Sequence, residues 1–280
     1  GEDSTLRIWN LENGSLVWRA PEVLEESCGA VDVSPDGRLV AYADKSGVLM
    51  VRDLTTWQQV AALPRRGYGY IVAKFSPDGR TLYATNRNRG VYGWTLPDFA
   101  EIDVKTPIDP GIQPWSVVCS GNNDAVAVSA WHKLIQLRDP RTLKVLTTLD
   151  GHTGLVSCVD FSPVDPRLLV STCSDGTLRL WDTVEQRNVL LLKLGDANVE
   201  GITARFAADG RSVIVAGSMG TAFVIDLAYY ERAMANHVPL VLDRLGLSKV
   251  TGDPKLDQVR TWAARVAREP WPRIGPSAVP

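Results

Sequence analysis

Residues 151–182 read GHTGLVSCVDFSPVDPRLLVSTCSDGTLRLWD, and this stretch decides the fold. Apolar and β-branched runs at Leu155–Ser162, Leu168–Cys173 and Thr177–Asp182 are separated by Ser, Pro, Asp and Gly, and a fourth run, Asn188–Leu194, follows one turn later. Runs this short, bounded by turn residues, read as strands. Outward from here the pattern recurs. The run closing on Asp182 has counterparts in LRIWN ending at Asn10, LMVRD at Asp53, VYGWT at Thr95, IQLRD at Asp139 and FVID at Asp226, at intervals of 43, 42, 44, 43 and 44 residues. A second marker keeps the same period: SPDGR from Ser34 and Ser76, SGNND from Ser120, SPVDPR from Ser162 and AADGR from Ala207. In the two Pro-Asp-Gly units proline presets one turn φ, and Gly37 and Gly79 can take positive φ.

Each period therefore holds four short strands, too few to bury a core as an isolated sheet. Packing successive sheets face to face around an axis buries both faces, which is the β-propeller solution. The rest of the sequence agrees. With 45% apolar and 22% charged residues the composition is globular, and a net charge of −2 argues against a general polyanion binder. No run approaches the ~18 apolar residues of a membrane span. Four cysteines in 280 residues are no disulfide framework. The chain begins with Gly, which reads as a fragment or a processed product, with room for a removed signal peptide; the expected compartment is the cytoplasm.

Gly151-His152, Ser171, Ser174-Asp175-Gly176 and Trp181-Asp182 together resemble the WD-repeat (WD40-type) pattern over a whole repeat, and Asp3 and Trp9 resemble the end of another. Arg52 and Arg138 stand where Trp is expected, and Ile225 does so in the last repeat. The resemblance covers residues 1–227 and implies an all-β WD-repeat propeller of about five to six blades. The first blade is truncated to its last two strands, four are complete, and the last has three strands. A closed ring in this family has about six to eight blades, so the chain reads as the C-terminal part of a longer repeat protein.

Ser171, His152 and Asp175 invite a hydrolase reading, since a serine nucleophile needs a base and an orienting carboxylate. The resemblance implies something else: His152, Ser171, Asp175 and Trp181 as a hydrogen-bonded chain that fixes one blade. No G-x-S-x-G elbow surrounds Ser171. The three histidines, His132, His152 and His237, are widely spaced, without partners at zinc-site spacing, and no phosphate-cradling loop occurs. No catalytic residue, metal or cofactor is expected. Cys158 and Cys173 fall on neighbouring strands as small buried residues.

Binding in a propeller belongs to its loops. Arg65, Arg66, Tyr68 and Tyr70 lead into one blade, Arg87 and Arg89 cross it, and Trp131 crosses the next. Between residues 64 and 92 there are six Lys/Arg against one acid, Asp78. Arg, Tyr and Trp dominate interface hot spots, so this rim is expected to take other proteins, with acidic or phosphorylated segments favoured over nucleic acid. The bland alternative is a solvated face, with Trp115 in the core of its strand.

The strand pattern stops after Asp226. Residues 228–269 show a helical stripe interrupted at Pro239, then a second helix capped by Asp253-Pro254; the proline-bearing tail 270–280 reads as extended. Asp226, Leu227, Tyr230, Arg232, Asn236, Arg244 and Leu245 resemble the end of WD-repeat regions in large bacterial proteins of the planctomycete kind, some with an upstream Ser/Thr kinase domain. Three functions follow as expectations. The first is a non-catalytic interaction scaffold. The second is the regulatory end of a bacterial kinase. The third, favoured least, is an enzymatic propeller such as a lactonase.

Overall fold

The computed structural model describes residues 5–20, 30–44, 46–64, 69–86, 90–102, 113–130, 133–194, 203–217, 222–227 and 257. Their strands form six antiparallel sheets in chain order. The first holds β1 (Arg7–Trp9) and β2 (Leu16–Arg19). The second holds β3 (Val31–Val33), β4 (Leu39–Ala43), β5 (Leu49–Asp53) and β6 (Gln59–Leu63). The third holds β7 (Tyr70–Phe75), β8 (Thr81–Asn86), β9 (Val91–Thr95) and β10 (Ala100–Glu101). The fourth holds β11 (Pro114–Cys119), β12 (Val126–Ala130), β13 (Ile135–Arg138) and β14 (Val145–Leu149). The fifth holds β15 (Val156–Phe161), β16 (Leu168–Cys173), β17 (Thr177–Asp182) and β18 (Arg187–Lys193). The sixth holds β19 (Thr203–Phe206), β20 (Ser212–Ala216) and β21 (Ala222–Asp226).

Within each sheet the strands lie side by side in sequence order. The first strands β3, β7, β11, β15 and β19 pack against one another in succession. They line a common channel, and each sheet runs outward from it as a blade. This is the architecture of a β-propeller, with the two-, four- and three-stranded sheets that the repeat spacing implies.

The burial pattern explains why the sheets need one another. Strands β5 and β12 are buried at every residue, whereas the outer strands β6 and β14 bury little apart from their last residue. Apolar residues gather in five clusters among the described residues, each shared by two neighbouring sheets. One joins Leu49 and Val51 to Phe75, Leu82 and Trp94; another joins Val170 and Leu178 to Val213 and Ile225. No sheet has a core of its own, so a blade separated from its neighbours would expose both apolar faces.

Two turns keep the period. At the end of the third strand in four of the sheets a side-chain oxygen of Asn10, Asp53, Asp139 or Asp182 accepts from the backbone N–H groups two and three residues on. The residue four positions on then takes positive φ: 68° at Gly14, 61° at Trp57, 54° at Leu143 and 53° at Gln186. The recurring Asn or Asp is thus an Asx cap that turns the chain into the outer strand. Between first and second strands, Ser34 Oγ accepts from Leu39 N–H at 2.8 Å and Ser76 Oγ from Thr81 N–H at 2.9 Å. Gly37 and Gly79 complete these turns at φ 70° and 68°. The expected helices of 228–269 and the tail 270–280 lie outside the described residues, Asp257 apart.

Candidate functional site

The register of the fifth sheet brings the four expected side chains together. Leu169 faces Trp181 across β16 and β17, which places Ser171 two residues along the same strand from that pair. Gly151 brings His152 back over them. Its φ is +150°, and a Cβ there would stand 2.7 Å from the Arg179 guanidinium and 3.2 Å from the Trp181 ring. Trp181 Nε1–H donates to Ser171 Oγ at 2.8 Å. Ser171 Oγ lies 2.7 Å from His152 Nε2, and His152 Nδ1 lies 3.1 Å from Asp175 Oδ2. Asp175 also accepts from Thr153 N–H and from the Thr177 N–H and hydroxyl.

The electrostatics fix the direction of this chain. Burial, opposed by Asp175, pushes the His152 imidazole down to about 4, so it is neutral near pH 7. Burial works against the Asp175 charge, yet the bonds from Thr177, Thr153 and His152 hold its carboxyl well below the usual carboxylate range. A neutral imidazole donates from Nδ1 to Asp175 and accepts at Nε2 from the Ser171 hydroxyl, which itself accepts from Trp181. His152 and Trp181 are 1% exposed and Ser171 is fully buried. That hydroxyl is closed off from solvent, and its proton is already committed to the imidazole.

Cys173 adds a thiol that sequence spacing did not flag as a ligand. Ligand atoms of His152, Cys173 and Asp175 lie within 4.8 Å of one another, a grouping that could hold a metal ion. Each is already engaged, since Cys173 Sγ accepts from Asp175 N–H and burial raises its thiol to about 11. Cys158 and Cys173 do face each other's strands, paired with Thr172 and Val156 respectively, and both are free thiols.

The other blades fill the Trp position differently. Arg52 donates from Nε to Tyr42 Oη at 2.8 Å and from Nη1 to the Trp57 carbonyl at 2.9 Å, with its guanidinium over the Trp18 ring. Arg138, 1% exposed, binds Gln136 Oε1 through Nε and Nη2 and the Leu143 carbonyl through Nη1 at 2.7 Å. Trp94 packs edge-on against Tyr70.

That last contact corrects one expected rim residue. Tyr70 is only 2% exposed, its ring packs on Tyr92 and Trp94, and its hydroxyl donates to the Pro64 carbonyl. It is a core residue because its ring is packed edge-on against both Tyr92 and Trp94. Arg65, Arg66, Tyr68, Arg87, Arg89 and Trp131 lie outside the described residues.

The channel mouth holds residues that sequence reasoning missed. A cavity of about 220 Å³ is lined from all five innermost strands, by Val31, Lys74, Trp115, Ser116, Ser157, Cys158, Thr203 and Arg205 among others. Trp115, set in the core of its strand only by the solvated-face alternative, is half-buried and lines this cavity. Two carboxylates tie neighbouring blades together beside it. Asp32 accepts from Lys74 Nζ at 2.6 Å and from Phe75 N–H at 2.8 Å, and Asp160 accepts from Phe206 N–H at 2.8 Å. Burial raises the Asp160 carboxyl, against Arg205, that N–H and Lys74. One signal was available. Two residues before the turn residues Ser34, Ser76, Ser162 and Ala207 stand Asp32, Lys74, Asp160 and Arg205, acid then base in each pair.

Comparison with known proteins follows the same repeat. Residues 143–182 match the family model described as "WD domain, G-beta repeat". That span takes β14 from the fourth blade and β15 to β17 from the fifth, so one sequence repeat straddles two sheets. The chain is similar to a WD repeat-containing protein 26 homolog of Drosophila melanogaster, 26% identical over 237 aligned residues covering 64% of this chain and 35% of the relative. It is similar to Transcription factor unc-37 of Caenorhabditis elegans, 26% identical over 218 residues, 78% of this chain and 34% of the relative. It also resembles MST50-interacting protein 11 of Pyricularia oryzae, 30% identical over 105 residues, 38% of this chain and 32% of the relative. The chain thus spans about a third of the length of these curated relatives. The repeat match and the relatives together support a WD-repeat family for this chain.

Proposed function

We propose that this chain is a non-catalytic interaction scaffold that presents one end of its propeller, the loops and the channel mouth, to other proteins. One observation carries the reading: the only serine–histidine–aspartate set among the described residues is sealed, with Ser171 Oγ held between Trp181 Nε1 and His152 Nε2 at full burial. The polar groups that resemble catalytic machinery are used to fix a blade, and the strands are used in packing. What remains to act on a partner is the loop end, where recognition by a rigid scaffold resides. Support comes from a relative whose name records an interaction, MST50-interacting protein 11.

The preferred partner is a protein segment carrying acidic or phosphorylated residues, because Arg65, Arg66, Arg87 and Arg89 occur in a stretch of sequence whose one acid between residues 64 and 92 is Asp78. The test is capture of partners from native lysate by the wild-type chain and by an Arg65→Glu, Arg87→Glu variant of equal thermal stability. Loss of specific partners in the variant is expected. An unchanged set would remove these loops from the interface, and no specific partner with either chain would overturn the scaffold reading.

A further inference from the structure

The channel mouth is built with a regularity that packing alone does not require. Strands β7, β11 and β15 each carry a β-bulge at the same place, between Tyr70 and Val72, between Pro114 and Ser116, and between Val156 and Cys158. A bulge inserts one residue and re-aims its side chain. In β11 and β15 the inserted residues, Trp115 and Ser157, line the cavity, with Ser116 beside them and the exposed Thr203 across from them. The mouth is thereby furnished with an indole and three hydroxyls, of which Ser157 Oγ is bonded to Thr172 and Thr203 Oγ1 donates to Cys158 Sγ at 3.7 Å.

Two cations stand among them, each fixed by part of its donor set. Arg205 Nη1 donates toward Cys158 Sγ at 2.7 Å and toward the carbonyls of Ala204 at 3.1 Å and Val159 at 3.2 Å. Its Nε and Nη2 take no hydrogen bond among the described residues, and the side chain is exposed at the cavity. Lys74 Nζ is held by Asp32, which leaves two of its three protons for another acceptor. Asp32 and Asp160 balance the two cations formally, so the mouth offers oriented N–H donors rather than an excess of charge. A positioned guanidinium with its fork free matches the planar geometry of a carboxylate or phosphate. The rival cavity, about 330 Å³ between the second and third sheets, lacks this feature: its arginine, Arg38, already pairs through Nε with Asp53 at 3.1 Å.

We infer that the channel mouth binds a side-chain oxyanion of a partner segment, carboxylate or phosphate, on the free donors of Arg205 and Lys74, with Ser116, Ser157 and Thr203 lining the rest of the cavity and Trp115 covering the adjoining chain. This rests on the scaffold reading and gives it a specificity. The test uses the full 280-residue chain against immobilised degenerate peptide pools whose fixed central residue is Glu, phosphoserine, Ser or Lys. Retention of the Glu or phosphoserine pool about tenfold above the Ser pool is expected. A preference for phosphoserine over Glu identifies a phosphorylated partner, and the reverse an acidic one. Arg205→Gln should bring retention down to the Ser level. Because Arg205 also joins β19 to β15, the exposed Thr203→Asp serves as a second variant with the same expected loss, and Arg38→Gln should leave retention unchanged. Equal retention of all pools, or a preference that survives Thr203→Asp, overturns the site. If the chain captures lysate partners yet shows no oxyanion preference, this site fails while the scaffold reading stands.

Discussion

Replacing Ser171 by Ala removes one oxygen and leaves two buried groups without a partner. The Trp181 Nε1–H loses its acceptor at 2.8 Å, and His152 Nε2 loses its donor at 2.7 Å, both side chains being 1% exposed. Each orphaned group costs about 1–3 kcal/mol, so the expected loss is about 3 kcal/mol, or about 6–12 °C in Tm for a chain of this size. The backbone itself accepts an apolar residue here, since the equivalent position in the other blades holds Ala84, Val128 and Val215. The loss is therefore assignable to the stranded polar groups rather than to the strand. A double-mutant cycle with Trp181→Phe isolates the contact, because the second change removes the orphaned N–H. The double variant should be more stable than the sum of the singles predicts by about 1 kcal/mol or more. Urea unfolding monitored by near-ultraviolet circular dichroism reads all three. A loss below about 0.5 kcal/mol for Ser171→Ala, or strict additivity in the cycle, would refute the reasoning.

The same network makes stability depend on pH. Because burial depresses His152 from 6.5 to about 4, the unfolded chain takes up a proton that the native chain refuses; the stabilisation is complete above about 6.5 and is lost as pH falls toward 4. That shift corresponds to roughly 3 kcal/mol, read as the change in urea midpoint between pH 7.5 and 4.5, and the idea fails if His152→Asn keeps the full wild-type dependence. The blade-to-blade contact of the first turns gives a paired prediction. Gly37 and Gly210 share positive φ, 70° and 64°, but a Cβ at Gly37 meets open space whereas at Gly210 it would stand 2.2 Å from Val164 Cγ2. Gly37→Ala should cost about 1 kcal/mol and Gly210→Ala about 2 kcal/mol more. Adding Val164→Ala should recover most of that difference; equal losses at both glycines would sink the argument.

What was legible in the sequence was what recurs. The five complete or nearly complete blades, their strand order and their turns follow from two markers of one period, because an Asx cap and a serine-anchored turn need particular residue types at particular backbone positions. The set His152, Ser171, Asp175 and Trp181 was legible for the same reason. The channel was not. Its lining comes from one strand of each blade, about 43 residues apart in the chain, so Lys74 and Asp32 meet only once the blades are stacked. Trp115 was left between surface and strand core, because the bulge between Pro114 and Ser116 breaks the alternation that would set its orientation. Tyr70 misled because a residue next to an arginine-rich loop reads as surface, while its partner Trp94 is only found through the pairing of β8 with β9.

The degenerate repeats explain where a propeller of this kind can vary. The position facing the first buried residue of the second strand needs bulk, and Arg52, Trp94, Arg138, Trp181 and Ile225 all supply it. Each polar version is satisfied inside its own blade: Arg52 by Tyr42 and the Trp57 carbonyl, Arg138 by Gln136 and the Leu143 carbonyl, Trp181 by Ser171. Local satisfaction means that the hydrogen bonds of Arg138 and of Trp181 can be exchanged within one blade, whereas Arg52 also covers Trp18 of the first sheet and so couples two blades. The turns lack that freedom, because their residues are chosen by backbone conformation. Selection on a partner therefore has two places to act without unfolding the stack: the loops, and the few side chains that bulges turn into the channel. Arg205 is placed where both constraints meet, pinned by one nitrogen to the neighbouring blade and open at the others.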